Sequence, residues 1–137
     1  RRPDAVRPWQ HVCEPLSGYL AVAENMLEAG GRPWEAWNFG PHASNNTTVG
    51  DVARLTCELW GRPELLSFGT AQAQPHEAGT LRLDCTKATE RLKWRPRLEI
   101  QDSVAWTVDW FKKLARGGDM RETTLRQIAD YARLIDV

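Results

Sequence analysis

Four side chains stand in non-helical surroundings and carry groups able to hold a charged ligand. Arg7, in a run with Trp9, Gln10 and His11, can grip a phosphate through two guanidinium donors. Asn38, at the end of a short apolar run, can hold a phosphate or sugar oxygen, and His76 beside Glu77, in an irregular stretch, can do likewise. Together they describe a joint anion or nucleotide site, although the same residue types also make salt bridges and turn bonds. Other chemistries fail on spacing. There is no GxGxxG, GxxGxxG or GxxxxGK[ST], so neither a dinucleotide fingerprint nor a P-loop is present. His11, His42 and His76 show no HExxH spacing, and Cys13, Cys57 and Cys85 form no CxxC pair, so no metal site is expected. Ser17, Ser44, Ser67 and Ser103 lie outside any GxSxG elbow and read as caps and turns. The basic cluster Arg91, Lys93, Arg95 and Arg97 around Trp94 could contact phosphates or stack on a base, but neighbouring Glu90 and Glu99 favour a solvated face.

These residues must be positioned by elements that the apolar spacing outlines. Prolines 3, 8 and 15 keep the first fourteen residues extended. Leu16, Leu20, Ala23 and Leu27 share one face of a helix from Pro15 to Glu28, stopped by Gly30-Gly31. Trp37-Asn38-Phe39 reads as a short buried strand that feeds a small-residue polar loop, Ala43 to Thr48. Thr48, three residues ahead of Asp51, caps a helix that runs to Gly61. Leu65 to Phe68 and Leu81 to Leu83 are weak strands, and Asp84 caps a short helix through Leu92. A further amphipathic helix spans Gln101 to Arg116, and a last one follows Thr123-Thr124 with Leu125, Ile128, Ala129 and Ala132 inward.

A chain of 137 residues fits one domain, residues 1–137, and can bury a real core. The 18 basic and 18 acidic residues cancel, which argues against a nucleic-acid partner. At 42% hydrophobic and 26% charged, the composition is globular. No apolar run is long enough to span a membrane. Three widely spaced cysteines read as reduced thiols, hence a cytoplasmic location. The opening Arg1-Arg2-Pro3-Asp4, without methionine or signal, is expected of a piece of a longer chain.

Arg7-Pro8-Trp9-Gln10-His11-Val12, followed by Glu14-Pro15-Leu16-Ser17-Gly18-Tyr19, resembles the C-terminal half of the CDP-glucose 4,6-dehydratase family, within the extended short-chain dehydrogenase/reductase group. The resemblance continues through Trp37-Asn38-Phe39-Gly40-Pro41, Pro75-His76-Glu77-Ala78, Leu83-Asp84-Cys85-Thr86-Lys87-Ala88, Trp94-Arg95-Pro96-Arg97, Thr107-Val108-Asp109-Trp110 and Gly118-Asp119-Met120. It departs where Gly79-Thr80 replace a histidine and an aromatic, and where the loop Ala43 to Thr48 lacks acidic residues.

The resemblance implies a small mixed α/β substrate-binding region without the dinucleotide-binding sheet. It also implies a reaction run on NAD: carbon 4 of the sugar is oxidised, water leaves across carbons 5 and 6, and hydride returns to carbon 6. Family members place the glycine-rich loop and the Tyr-x-x-x-Lys pair upstream, so no catalytic residue is expected here and no NAD on this stretch alone. Arg7 would pair with the diphosphate of a CDP-sugar, Asn38 would lie near the phosphate or sugar, and His76 and Glu77 would close over the nucleotide. An N-terminal dinucleotide-binding domain would complete the enzyme, and the piece by itself would be inactive, mainly monomeric, and apolar where that domain packs. A related epimerase or dehydratase using another base, and a noncatalytic nucleotide-sugar-binding module, are the alternatives.

Overall fold

The computed structural model describes residues 2–28, 35–69 and 78–135. Five helices carry it: α1 (Cys13–Glu28), α2 (Val49–Trp60), α3 (Thr86–Arg91), α4 (Ile100–Ala115) and α5 (Met120–Ile135), with one 3-10 turn at Pro63–Leu65. The mixed character is thus weighted towards helix. Among the described residues the β component is two isolated bridges, from Val6 to Thr48 and from Val6 to Thr80.

The segments expected as strands are corrected accordingly. Trp37 to Phe39 and Leu81 to Leu83 form no ladder, and Leu65 belongs to the 3-10 turn. Of their apolar residues Phe39 is buried without a partner strand, whereas Leu65, Phe68, Leu81 and Leu83 stay exposed. Phe39, only 7% exposed, packs with Ala88 and Trp94, and Trp37 and Cys85 flank that cluster. Such segments need a neighbouring strand to become a sheet, and the described residues supply none.

Helix boundaries follow local chemistry. Thr48 and Asp51 close a full capping box on α2, and Gly61, at φ 86°, ends the helix in the left-handed conformation that glycine adopts without a Cβ penalty. Helix α1 starts two residues before Pro15, which is tolerated because the first-turn N–H groups have no intrahelical partner. Helix α5 starts at Met120, ahead of Thr123, because Asp119 accepts from the Glu122 amide at 3.0 Å. Lys93, at φ 56°, turns the chain after α3 so that the Trp94 amide bonds back to the Ala88 carbonyl at 3.3 Å.

The apolar face of α1 is turned to solvent, and the inward face expected of α5 is reversed. On α1, Leu16, Leu20 and Leu27 are 49%, 67% and 85% exposed, and the buried residues are Glu14 and Gly18. On α5, Leu125, Ile128, Ala129 and Ala132 face solvent, whereas Thr123, Gln127 and Tyr131 are buried. The cause is a polar junction between α1, α5 and the 94–98 turn. Glu14 Oε1 accepts from the backbone amides of Arg97 and Leu98 at 2.8 and 2.7 Å, and Glu14 Oε2 accepts from the Tyr131 hydroxyl at 2.6 Å. Ser17 Oγ accepts from the Trp94 indole at 2.9 Å and lies 3.2 Å from the Tyr131 hydroxyl. Gln127 donates to the Trp106 carbonyl at 2.8 Å. A carboxylate that is 1% exposed must be surrounded by donors, and helices that supply them cannot also turn their leucines inward. Burial and the Glu14 carboxylate push the Tyr131 phenol well above its ordinary value, so it remains a donor. Gly18 lets the Phe39 ring lie against α1: a Cβ there would sit 2.4 Å from the ring.

Candidate functional site

The segment that carries Arg7 is held by backbone bonds on both sides. Val6 N donates to Gly79 O at 2.8 Å, Leu81 N donates to Val6 O at 3.1 Å, and Val49 N donates to Ala5 O at 2.9 Å. The chain before α1 is therefore strung between the start of α2 and the 79–81 segment. Arg7 Nη1 donates to the Val6 carbonyl at 2.8 Å, which fixes the guanidinium at the rim of a small pocket of about 80 Å³. His42, Asn45 and Arg82 share its lining. Arg82 in turn bonds the Asn46 side chain.

Pro41, His42, Ala43 and Leu83 are a wall shared with a larger groove of about 460 Å³, whose far side holds Asp84, Thr86, Glu90 and Arg95. The two pockets adjoin at that wall, the smaller lined by Arg7 and Arg82 and the larger by Arg95 together with Asp84, Glu90 and Thr86. Such a lining offers charged donors to a phosphate and acceptors to sugar hydroxyls. Arg95 has no side-chain partner among the described residues, which leaves its donors for a ligand. Gly40 permits the close approach of the cleft's two strips, since a Cβ there would lie 3.1 Å from the Leu83 side chain. Thr86, through its side chain and backbone amide, holds the Asp84 carboxyl below the ordinary carboxylate range. Burial raises the Cys85 thiol, so the sulfur bordering the groove is protonated and no nucleophile. Among the described residues no group of three or more His, Cys, Asp or Glu side chains could hold a metal ion.

The structure separates the residues picked out by sequence. Arg7 enters the cleft. Asn38 does not line it: the side-chain amide donates to the Asp84 carbonyl at 3.2 Å, which anchors the cleft wall from behind. His76 and Glu77 lie outside the described residues. Trp9 and Gln10, next to Arg7, turn instead into an apolar groove between α2 and α4, where Trp9 Nε1 and Gln10 Oε1 are buried with no partner among the described residues. His42, Asn45 and Arg82 were not singled out by sequence reasoning. The signal lay in the polar loop Ala43 to Thr48, which contains Asn45 and follows His42; Arg82 carried no separate signal.

His11 belongs to the core. It is 4% exposed, its ring meets Trp106 edge-on at 5.6 Å, and Nδ1 accepts from the Cys13 amide at 3.3 Å. That bond needs a neutral ring. Burial lowers the His11 pKa from its ordinary 6.5, and the Glu14 charge opposes the shift without cancelling it. Below pH 6.5 the unfolded chain therefore takes up a proton that the folded chain refuses, and stability falls as pH drops from there towards the folded-state value. Thermal melts at stepped pH are expected to show this fall in the wild type and a shallower one in His11→Gln. Identical slopes would assign the pH dependence to other groups.

Comparison with known proteins adds the following. No family model matches the chain. It is 40% identical over 131 residues to the CDP-glucose 4,6-dehydratase of Salmonella typhimurium (strain LT2), covering 96% of this chain and 36% of that protein. It is 28% identical over 107 residues to the dTDP-glucose 4,6-dehydratase of Streptomyces antibioticus, covering 78% of this chain and 30% of that protein. The chain thus spans about a third of the length of the curated relatives it matches. No helix among the described residues is long and apolar enough to cross a membrane.

Proposed function

On the premise that this chain is similar, along nearly its whole length, to one stretch of a sugar-nucleotide 4,6-dehydratase, we propose that it is the C-terminal, substrate-binding region of a CDP-glucose 4,6-dehydratase. The observation that carries this reading is the setting of Arg7, whose guanidinium bonds the Val6 carbonyl in a small pocket that shares Pro41, His42, Ala43 and Leu83 with a larger polar groove. Arg7 and Arg82 hold the diphosphate, and the groove between Leu83 and Arg95 takes an uncharged, hydroxyl-bearing end of the ligand. Asn38 acts through the Asp84 segment as a positioning residue. His76 and Glu77 are assigned to the nucleotide side on the strength of the motif alone. The region, residues 1–137, serves cytoplasmic deoxysugar chemistry and binds no nucleic acid.

NAD belongs to the longer enzyme, where it supplies a hydride acceptor and donor. The described residues do not fit a dinucleotide. Their two positive-φ glycines, Gly61 and Gly117, end α2 and α4, and neither belongs to the GxGxxG spacing of a pyrophosphate cradle. Catalysis therefore falls to a dinucleotide-binding domain outside this chain. The exposed stripe Leu16, Tyr19, Leu20 and Leu27 on α1, with Val12 just ahead of it, is the seat for that domain, and the chain alone is mainly monomeric in dilute solution and inactive.

Calorimetric titration of the full-length parent with CDP-, UDP- and dTDP-glucose tests the reading. Tightest binding of CDP-glucose is the expected result. A preference for another base would transfer the region to a related epimerase or dehydratase, and binding without turnover of any of the three would favour a noncatalytic nucleotide-sugar-binding module.

A further inference from the structure

Helix α5 presents a stripe of four residues, Leu125, Ile128, Ala129 and Ala132, on the side away from the buried Thr123, Gln127 and Tyr131. Leu125 and Ile128 are 48% and 51% exposed. One edge of the stripe carries Glu122 and Arg133, which lie about three helical turns apart and so on the same side, and Arg126 between them is turned to Asp109 of α4 at 3.6 Å. Glu122 makes no ion pair among the described residues, and Arg133 pairs with Asp130 of its own helix at 2.6 Å.

This arrangement is complementary to itself. A second α5 laid antiparallel across the stripe interleaves Leu125 and Ile128 with Ala132 and Ala129 of the copy, whose small side chains let the helices approach. It also brings Glu122 over Arg133 of the copy, and by two-fold symmetry does so twice. A parallel pair would set this edge against the opposite edge of the copy and leave Glu122 away from Arg133. The stripe on α1 lacks this property: its flanks offer Glu24 and Glu28, and its last turn holds no basic residue. We propose that α5 is a self-association surface through which two copies of this chain pair antiparallel. A single helix of 16 residues is about 24 Å long and gives an interface at or below about 1,200 Å², the range of weak, reversible contacts. The pairing therefore appears at high concentration, and in a longer polypeptide it adds to whatever other interface that protein has.

Sedimentation equilibrium of the 137-residue chain at low salt, from about 10 μM to about 1 mM, reads the result. The expected behaviour is a reversible monomer–dimer equilibrium. Glu122→Arg should weaken it about tenfold, and Glu122→Arg with Arg133→Glu should restore it to within about threefold of wild type. Leu20→Glu on α1 should leave the dimer intact. Circular dichroism confirms that each variant keeps its helices. A monomer at every concentration, association removed by Leu20→Glu, or failure of the double charge reversal to restore pairing would each overturn the proposal.

Discussion

Replacing Glu14 by alanine is expected to cost about 4 kcal/mol of folding stability, and to lower the melting temperature by about 10–15 °C. The carboxylate is 1% exposed and serves three donors: the amides of Arg97 and Leu98 and the hydroxyl of Tyr131. Alanine leaves those donors buried and unpaired, each at about 1–3 kcal/mol, and opens a void where the side chain stood. Two milder changes separate the contributions. Glu14→Gln keeps a carbonyl for the two amides and should cost about 1–2 kcal/mol, and Tyr131→Phe, which removes one hydroxyl, about the same. Chemical denaturation of the four proteins, with the double variant to close the cycle, measures the coupling between Glu14 and Tyr131. An alanine variant within about 1 kcal/mol of wild type would show that water reaches the junction and replaces the lost acceptor.

The second large effect falls on binding. Arg7→Ala in the full-length parent is expected to weaken CDP-glucose binding about a hundredfold, because two charge-assisted hydrogen bonds to phosphate oxygens are lost at about 1.5 kcal/mol each. Lysine should recover only part of this, since a point charge cannot replace the paired donors of a guanidinium. Arg82→Ala should weaken binding by less, as the Arg82 side chain is exposed and shared with Asn46. Asn38→Ala acts indirectly by releasing the Asp84 carbonyl, so its effect should be smaller still. Calorimetry gives the affinities, and melting of the unliganded variants separates loss of binding from loss of fold. Unchanged affinity in Arg7→Ala would move the phosphate site elsewhere.

Legibility varied with the range of the forces involved. Helix α2 was readable from end to end because its signals are local: Thr48 and Asp51 at one end, Gly61 at the other. The periodicity of α1 and α5 located an apolar stripe on each, yet could not say which side faces inward. That choice was made by Glu14, which reaches partners 83, 84 and 117 residues away. The strands were overread for a related reason, since Trp37 to Phe39 has strand composition but pairing depends on a neighbour far along the chain. In the site, Arg7 was legible because it is an arginine in a proline-rich extended run, outside any helix. Asn38 was readable as a polar strand-end residue, but not as the anchor of Asp84. Arg82 and Arg95 were hidden among surface arginines, because only folding reveals which of them border a cleft.

The bond between Glu14 and Tyr131 joins the start of the first helix to the end of the last, so it closes almost the entire chain into a ring. Loop closure over such a span is slow to be rewarded, and contacts of this kind form after the local helices and their turns. The junction therefore belongs to the late side of the folding barrier. Weakening it should leave the rate of folding nearly unchanged and appear as faster unfolding. The lifetime of the folded chain, more than the ease of reaching it, is what the buried carboxylate controls.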